Sequence, residues 1–192
     1  MTRNSAMLAA MNTNVTTYYL EMISPVELCP SCAEVDGLHI QQVEVPSPEF
    51  NRFLYTTVGG DWYWIDRLIW SYHRWYEYLS RPEVETWVGY SHGTPAGYFE
   101  LEKQAGDNVE VAYFGLLPQF IGRGIGGRLL SAAVERAWTM GAMRVWVHTC
   151  SLDGPNALVN YRARGFRLYK EETVRVTLPD KKPGSWSGPG IR

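Results

Sequence analysis

The chain has 192 residues, of which 45% are hydrophobic and 20% are charged, and its formal net charge at pH 7 is −2. This composition excludes general disorder, and the near balance of charge excludes a global attraction to nucleic acid or to an anionic membrane. No apolar run approaches the roughly 20 residues of a membrane-spanning helix, and the first residues are too weakly apolar for a signal peptide. We therefore expect a cytoplasmic protein with no nucleic-acid or membrane partner.

Seven strands and four helices are predicted from β-branched and aromatic runs, helical periodicity and Gly or Pro breaks. The three strands from 85 to 117 predict an antiparallel meander, and the strand–helix–strand step from 109 to 150 predicts a parallel crossover. The fold class is therefore α/β (α+β) with a mixed sheet. The predicted strands are 16–23, 38–45, 85–91, 96–103, 109–117, 144–150 and 166–178, and the predicted helices are 47–57, 66–81, 125–140 and 155–164.

One domain is predicted over residues 15–178, between a flexible start at 1–14 and a flexible tail at 179–192, because neither end shows periodicity. Ser47, which precedes Pro48, is expected to cap the first helix. In the predicted helix 66–81, apolar side chains at 3-4-3 spacing are expected to face the core. They are Ile69, Tyr72, Tyr76 and Leu79.

The aromatic and cysteine residues each allow two interpretations. Aromatic residues make up 14% of the chain, and eight of them lie between Trp62 and Tyr78, which favours either a stable core or a lined pocket. Cys29 and Cys32 have the spacing of a redox motif or of half a zinc site. Because the other candidate ligands are scattered, we interpret this pair as incidental in a loop and predict no metal.

The strongest local signal is the glycine-rich stretch 122–127, which follows a strand and opens a helix. Glycines let backbone N–H groups approach an anion, and the helix start adds about half a positive charge. Gly122, Gly124 and Gly127 also match the dinucleotide-binding pattern G-x-G-x-x-G. We reject that alternative because residues 118–121 intervene after the strand, the next strand contains no ribose-binding acid, and an antiparallel meander precedes the loop.

Two motifs lie at a separation that is typical of one family. Ile121 to Gly126 fits Q/R-x-x-G-x-G/A, except that Ile121 replaces the usual Gln or Arg, and Ala157 to Phe166 fits A-x-x-x-Y-x-x-x-G-F. On these residues, the segment 109–166 resembles the GNAT superfamily of acyl-CoA-dependent N-acetyltransferases. The resemblance implies a mixed, mostly antiparallel sheet of six to seven strands flanked by helices, with a splayed parallel strand pair at the cofactor site.

The resemblance also implies acetyl-CoA as cosubstrate, with no metal. The coenzyme A pyrophosphate would meet the backbone of the glycine loop, and the pantetheine arm would pair with the strand before it. Asn160 faces either the cofactor or solvent. The residues implied in cofactor binding are Phe114, Gly115, Leu116, Leu117, Gly122, Arg123, Gly124, Ile125, Gly126, Gly127 and Asn160.

Catalysis by direct attack of an amine on a thioester needs a base for the amine and a proton donor for the departing thiolate. Tyr161 occupies the family's position for the donor, although a core tyrosine is the plain alternative. Glu110 is the first candidate for the base, with an ordinary strand carboxylate as its alternative, and Glu100 and Glu102 are second candidates. His148 shares a strand face with Cys150; a Cys–His nucleophilic pair is conceivable, but packing or substrate contact is favoured for His148.

The acceptor site is expected near the first helices, as the resemblance implies. Asp61, Trp62, Tyr63 and Trp64 follow a Gly-Gly break, so we expect them to form a loop that walls the acceptor, unless they instead fasten the helices to the sheet. The resemblance implies transfer of an acetyl group to a primary amine of a small molecule, amino acid or peptide. The alternative is a non-catalytic acyl-CoA-binding module. The resemblance also makes a homodimer plausible.

Overall fold

The structure is a computed structural model that describes residues 10–184. Seven strands form one sheet in the order β2-β3-β4-β5-β6-β1-β7, and every neighbouring pair is antiparallel except β5 and β6. The strands are β1 (Ala10–Met22), β2 (Leu38–Gln42), β3 (Val84–Ser91), β4 (Thr94–Gln104), β5 (Asn108–Leu116), β6 (Arg144–Cys150) and β7 (Arg167–Pro179), and the helices are α1 (Pro48–Gly59), α2 (Tyr72–Leu79), α3 (Ile125–Thr139) and α4 (Ala157–Ala163). This architecture confirms the predicted fold class.

The parallel pair β5–β6 separates soon after it forms. Its three paired positions end at Glu110 opposite Trp146, and the strands carry no paired residues beyond that point. β5 nevertheless continues to Leu116, paired only with β4 on its other side. The opening between the two strands confirms the predicted splay and leaves one edge of the β5 backbone available for a ligand.

Helix α3 packs on the sheet beside this opening. Its buried face consists of Leu129, Leu130, Ala133, Val134 and Ala137, all of which are fully buried. These side chains join the main hydrophobic cluster with residues of β4 and β5, so the helix start is held rigidly next to the end of β5. No helix among residues 10–184 is long and apolar enough to cross a membrane.

The structure confirms the predicted N-terminal cap of α1, whereas α2 starts at a different residue from the one predicted. The Ser47 side chain accepts a hydrogen bond from the Phe50 N–H at 3.4 Å, as predicted. The predicted helix 66–81, in contrast, begins only at Tyr72, and Ser71 caps it. Residues 66–69 form a turn, and the side chain of Arg67 within this turn is buried.

The predicted core face of that helix is therefore wrong for three of its four residues. Ile69, Tyr72 and Tyr76 are 86%, 60% and 47% exposed, and only Leu79 is buried. The helix instead turns Trp75 inward, where its ring packs against Tyr55 at 5.9 Å. Trp75 and Leu79 are four residues apart and lie on the same side of α2, so the face that meets the core is centred on these two residues.

The first strand extends the sheet further than the sequence indicates, and the segment after β7 makes a contact that the sequence does not predict. β1 begins at Ala10 rather than Thr16, so residues 10–14, predicted as a flexible start, pair with β7. Polar residues hide this strand from hydrophobic periodicity, while ladder hydrogen bonds stabilise it. At the other end, the Gly184 N–H donates to the Gly60 carbonyl at 2.9 Å. The remainder of the two predicted tails, 1–9 and 185–192, lies outside the described residues.

Candidate active site

A cavity of about 880 Å³ opens between the diverging strands β5 and β6. One end lies at the glycine loop before α3, and the other is bounded by the segment after α1 and by the connection from β6 to α4. Its volume is in the range of small-molecule and cofactor sites. The cavity therefore joins the predicted cofactor loop to the predicted acceptor wall.

The glycine loop has the geometry of an anion site. Gly122 and Gly124 have φ values of +83° and +78°, a conformation that other residues rarely adopt, and a Cβ on Gly122 would meet no atom within 4 Å. Gly122, Gly124, Gly126 and Gly127 all line the cavity. Gly124 caps α3, whose first N–H groups have no partner within the helix and carry the positive end of its dipole. The loop can thus receive a pyrophosphate through its backbone.

Two predicted loop residues turn their side chains elsewhere. Ile125 is 1% exposed and belongs to the core, and the Arg123 guanidinium lies 5.5 Å from the centre of the Phe120 ring. Neither side chain lines the cavity. Any contribution of these two residues to phosphate binding is therefore made by their backbone N–H groups.

The end of β5 supplies three of the four residues predicted along the pantetheine arm. Phe114, Gly115 and Leu116 line the cavity. Leu117 does not, because it is buried in the core and its N–H donates to the Ala96 carbonyl at 2.9 Å. Gly115 is required for packing of α1, since a Cβ there would collide with the Val58 side chain. The prediction for Leu117 is a misassignment by one residue at the strand end.

Asn160 on α4 faces the cavity rather than solvent. It lines the cavity, and its Nδ2 donates a weak hydrogen bond of 3.5 Å to the Gly126 carbonyl. This contact connects α4 to the glycine loop. Of the two alternatives for Asn160, the geometry favours the cofactor side.

Glu110 and His148 form a pair across the point where β5 and β6 separate. Glu110 is 9% exposed, and its Oε1 lies 3.1 Å from His148 Nδ1. Its Oε2 accepts from Gln104 Nε2 at 2.7 Å, and Gln104 Oε1 accepts from Trp146 Nε1 at 3.1 Å. His148 lines the cavity and Glu110 does not. Of the two residues singled out in the sequence, His148 thus lies at the cavity and Glu110 lies behind it.

The pKa of His148 is raised above its ordinary value, chiefly by the hydrogen bond to Glu110. The carboxylates of Asp153 and Asp66 act in the same direction, whereas burial opposes them. A histidine of this kind can accept a proton from a bound group and keep it in an ion pair. The arrangement gives the cavity one proton acceptor, held in a fixed orientation by the carboxylate behind it.

The second candidates for the base, Glu100 and Glu102, are excluded by their contacts. Glu100 is 1% exposed and accepts two hydrogen bonds from the Arg67 guanidinium, at 3.0 and 2.8 Å. Glu102 accepts from Arg81 at 2.7 Å, and the Tyr78 hydroxyl donates to both glutamates. Neither lines the cavity. Their role is to fasten the segment after α1 and α2 to β4.

Tyr161 lies in the cavity wall with its ring held by aromatic neighbours. The ring meets Phe114 at 6.0 Å and Phe166 at 5.9 Å, both edge to face, and the residue is 5% exposed. Burial, aided by the charge of Asp153, raises the pKa of the Tyr161 hydroxyl well above its ordinary value. The hydroxyl has no hydrogen-bond partner among residues 10–184, so a protonated donor is available to a bound molecule.

The predicted acceptor segment is only partly in the cavity wall. Trp62, Tyr63 and Trp64 line the cavity, whereas Asp61 does not. Trp64 also fastens α1 to the sheet, because its ring packs on Tyr113 at 4.9 Å. The structure therefore shows Trp64 fastening α1 to the sheet and places all three aromatic residues in the cavity wall, whereas their contact with an acceptor stays a prediction.

Two acidic residues of the cavity wall, Asp66 and Asp153, were missed. Asp66 was assigned to a helix that starts six residues later. Asp153 accepts from the Thr149 hydroxyl at 2.6 Å and from the Cys150 N–H at 2.8 Å. An Asp directly after the strand that carries His148 is typical of a turn in which the carboxylate accepts from the backbone, and this pattern could have indicated Asp153. Asp66 and Asp153 line the cavity, whereas Asp61 does not.

The cysteines do not form a catalytic or metal site. Cys29 and Cys32 are exposed and free, and residues 10–184 contain no group of three His, Cys, Asp or Glu side chains placed to hold a metal. Cys150 lines the cavity, but burial raises the pKa of its thiol, so the thiol is protonated at neutral pH. A Cys–His nucleophile is therefore not favoured.

Solved structures of acetyltransferases share this fold. A GCN5-related N-acetyltransferase from Kribbella flavida has 21% identity and a TM-score of 0.62 over 88% of this chain and 60% of that chain. An aminoglycoside acetyltransferase from an uncultured soil metagenomic sample, in complex with trehalose, has 17% identity and a TM-score of 0.58 over 68% and 90%. An IAA acetyltransferase from Bacillus cereus has 23% identity and a TM-score of 0.52 over 69% and 79%. This chain thus spans 60% of the Kribbella protein's length.

The sequence comparisons give one negative and one positive result. A comparison with curated proteins finds no match. The profile of the Acetyltransferase (GNAT) family matches residues 50–166, which include the glycine loop, the Glu110–His148 pair and Tyr161. The matched segment is more than half of the chain and carries both motifs on which the resemblance rests. The chain belongs to the GNAT family of acetyltransferases.

Proposed function

We propose that this protein is an N-acetyltransferase that moves an acetyl group from acetyl-CoA to a primary amine of a small molecule, amino acid or peptide. The transfer is a direct attack within a ternary complex. One observation carries the proposal: a proton acceptor, His148, and a protonated donor, Tyr161, line the same cavity that begins at an anion-binding loop. A homodimer through β7, the edge strand of the sheet, remains a prediction.

The residues of the cavity fit coenzyme A. The open Gly122 and the N–H groups that begin α3 suit the pyrophosphate. The free edge of β5 at Phe114, Gly115 and Leu116 suits the amide groups of the pantetheine arm. Acetyl-CoA would supply the activated thioester, and this chain's residues would orient it and move the protons.

The proton transfers follow from the two titratable side chains. The amine attacks in its neutral form, after a bound ammonium has lost one proton to water. As its nitrogen bonds to the thioester carbonyl carbon, His148 takes a second proton from the nitrogen, and Glu110 stabilises the imidazolium. As the carbon–sulfur bond breaks, Tyr161 donates its proton to the sulfur, which leaves as a thiol. In this scheme Glu110, the base predicted from the sequence, is a positioning residue, and His148 is the catalytic base.

A simple assay distinguishes the proposed enzyme from the alternative, a non-catalytic acyl-CoA-binding module. Thiol release from acetyl-CoA is measured with and without a panel of primary amines. We expect release that depends on both the enzyme and an amine. Tight binding of acetyl-CoA with no amine-dependent release for any class of amine would favour the binding module.

Gly124→Glu is expected to raise the Kd for acetyl-CoA more than tenfold in calorimetry, because it places a carboxylate at the anion site. The matched control is Gly93→Glu. Gly93 also has a positive φ, +81°, but lies in the β3–β4 turn with nothing within 4 Å of its Cβ position. Both variants carry the same backbone strain, so only Gly124→Glu should lose affinity. Equal affinities in the two folded variants would contradict the loop's assignment.

Glu110→Gln is expected to move the acidic limb of the pH profile of kcat/KM to lower pH. His148 acts as a base only when deprotonated, so the rate rises as pH passes its pKa, which Glu110 raises. Removal of the carboxylate charge lowers that pKa. Glu135→Gln, an exposed carboxylate on α3, serves as the control and should leave the limb in place. An unshifted limb in Glu110→Gln would show that His148 is not the titrating base.

A further inference from the structure

Among the described residues, the acceptor end of the cavity carries acidic side chains, one histidine and neither Lys nor Arg. Asp66, Asp153 and His148 line it, and among the described residues that line the cavity there is no Lys or Arg. Glu110 lies directly behind His148. A group bound at this end therefore meets the field of three carboxylates in a partly enclosed space, where charges act more strongly than in water.

Two arginines of neighbouring segments are engaged elsewhere, and one lysine lies over the aromatic side chains of the wall. Arg67 is buried in its pair with Glu100, and Arg164 donates to the Cys29 carbonyl at 2.9 Å. The Lys182 ammonium lies 5.3 Å from the centre of the Trp62 ring and 5.8 Å from that of Tyr63. A carboxylate on the acceptor would thus meet no Lys or Arg among the described residues of the wall, and pairing with a protonated His148 would occupy the base that the proposed reaction needs.

The rest of this end is apolar. Trp62, Tyr63, Trp64, Ile65 and Leu152 line it. Such a wall suits one ammonium attached to a hydrophobic or aromatic body, whose burial contributes to binding. The aromatic rings also attract ammonium groups, as the position of Lys182 illustrates. An acceptor with several charges would leave some of them against apolar side chains.

From these observations we propose that the acceptor is a primary monoamine with an apolar or aromatic body and no carboxylate, rather than an amino acid. The proposal rests on the proposed N-acetyltransferase function and narrows its acceptor. Asp66 and Asp153 are the residues that determine this preference: they attract the ammonium and repel a carboxylate.

The test compares matched acceptors that differ in one group. Initial rates of thiol release give kcat/KM for phenethylamine, phenylalanine and phenylalanine amide, and for tryptamine and tryptophan. We expect each amine to exceed its amino acid by ~100-fold, since like charges brought together without water cost several kcal/mol. Phenylalanine amide, which keeps the size but not the charge, should lie near the amine. Equal values for amine and amino acid, or a preference for the amino acid, would overturn the proposal.

Variants assign the preference to its residues. In Asp66→Asn/Asp153→Asn, where the side-chain amide oxygens can still accept hydrogen bonds, the ratio of amine to amino acid should fall at least tenfold. The control Glu135→Gln should keep the ratio. Lys182→Met should also keep it; a selective loss of amino-acid turnover in that variant would make Lys182 a carboxylate partner and contradict the inference. Acetyl-CoA binding without transfer to any acceptor would instead refute the proposed function itself.

Discussion

Tyr161→Phe is expected to lower kcat by about 100-fold or more while the Kd for acetyl-CoA changes little. A positioned proton donor contributes roughly 10²–10⁴-fold to rate. The ring of Tyr161 is held by Phe114 and Phe166, so its replacement by phenylalanine removes the hydroxyl and keeps the packing. The hydroxyl has no protein partner in the described part of the chain, and its loss therefore leaves no buried polar group unpaired. Stopped-flow or steady-state thiol release measures kcat.

The matched control is Tyr98→Phe, which removes a hydroxyl from another buried tyrosine, on β4. Tyr98 does not line the cavity. We expect kcat in this variant to remain within about threefold of that of the unaltered protein, because a folded variant retains the reacting groups. If Tyr161→Phe and Tyr98→Phe lower kcat equally, Tyr161 is a packing residue and its proposed role is wrong.

Arg67→Met is expected to lower the free energy of unfolding by about 3–5 kcal/mol, because it leaves the buried carboxylate of Glu100 without its counter-charge. The Arg67 guanidinium makes two hydrogen bonds to Glu100 and lies over the Tyr78 and Tyr113 rings at 4.3 and 4.2 Å. The Tyr78 hydroxyl also donates to Glu100. Urea unfolding followed by circular dichroism measures the change.

Two comparisons show whether the buried charge causes the effect. The double variant Arg67→Met/Glu100→Gln removes both charges, so it should be less destabilised than the sum of the single variants. Arg81→Met breaks an ion pair with Glu102 that is partly exposed, at 41% and 21% for the two side chains, and should cost no more than about 1 kcal/mol. A loss in Arg67→Met as small as that in Arg81→Met would contradict this account.

The buried ion pair also connects stability to the acceptor wall. Arg67 follows Asp66 in the chain, and its N–H donates to the Tyr55 hydroxyl at 3.2 Å. The turn at 66–69 is therefore anchored at both its backbone and its side chain. The hydrogen bonds of Arg67 to Glu100 and Tyr55 hold the neighbouring Asp66 at the cavity. A helix over the same residues would give Asp66 a different backbone conformation. A strongly bound charge thus positions a residue of the proposed acceptor site.

Most of the elements that could be predicted from the sequence depend on residues that are close together in the chain. The hairpin turns of the meander, the Ser47 cap and the glycine start of α3 act within a few residues, so their chemistry is visible in the chain. The start of α2 was not predictable in this way. Arg67 is buried in the turn at 66–69 that precedes the helix, and its partner Glu100 is 33 residues further along the chain. Because Arg67 and Glu100 are charged, their hydropathy predicts that they lie at the surface, although the structure buries them together.

The site shows the same division between local and distant causes. The glycine loop and Tyr161 carry motifs, and the structure brings both to one cavity. The contact between Glu110 and His148 depends instead on the register of β5 and β6, because the parallel pairing of these strands ends at Glu110 and Trp146. His148 lies two residues beyond Trp146, on the same face of β6 and past the point of separation. Nothing in either strand alone indicates where the pairing ends.

The central claim, direct acetyl transfer to an amine, is tested most directly by following the acetyl group itself. The protein is incubated with acetyl-CoA that carries a deuterated acetyl group, with and without phenethylamine, and both the protein and the small molecules are analysed by mass spectrometry. The account predicts a labelled N-acetyl amine and an unmodified intact protein, with little thiol release when the amine is absent. Label on Cys150 as a reaction intermediate, or release of labelled acetate without any N-acetyl product, would contradict it.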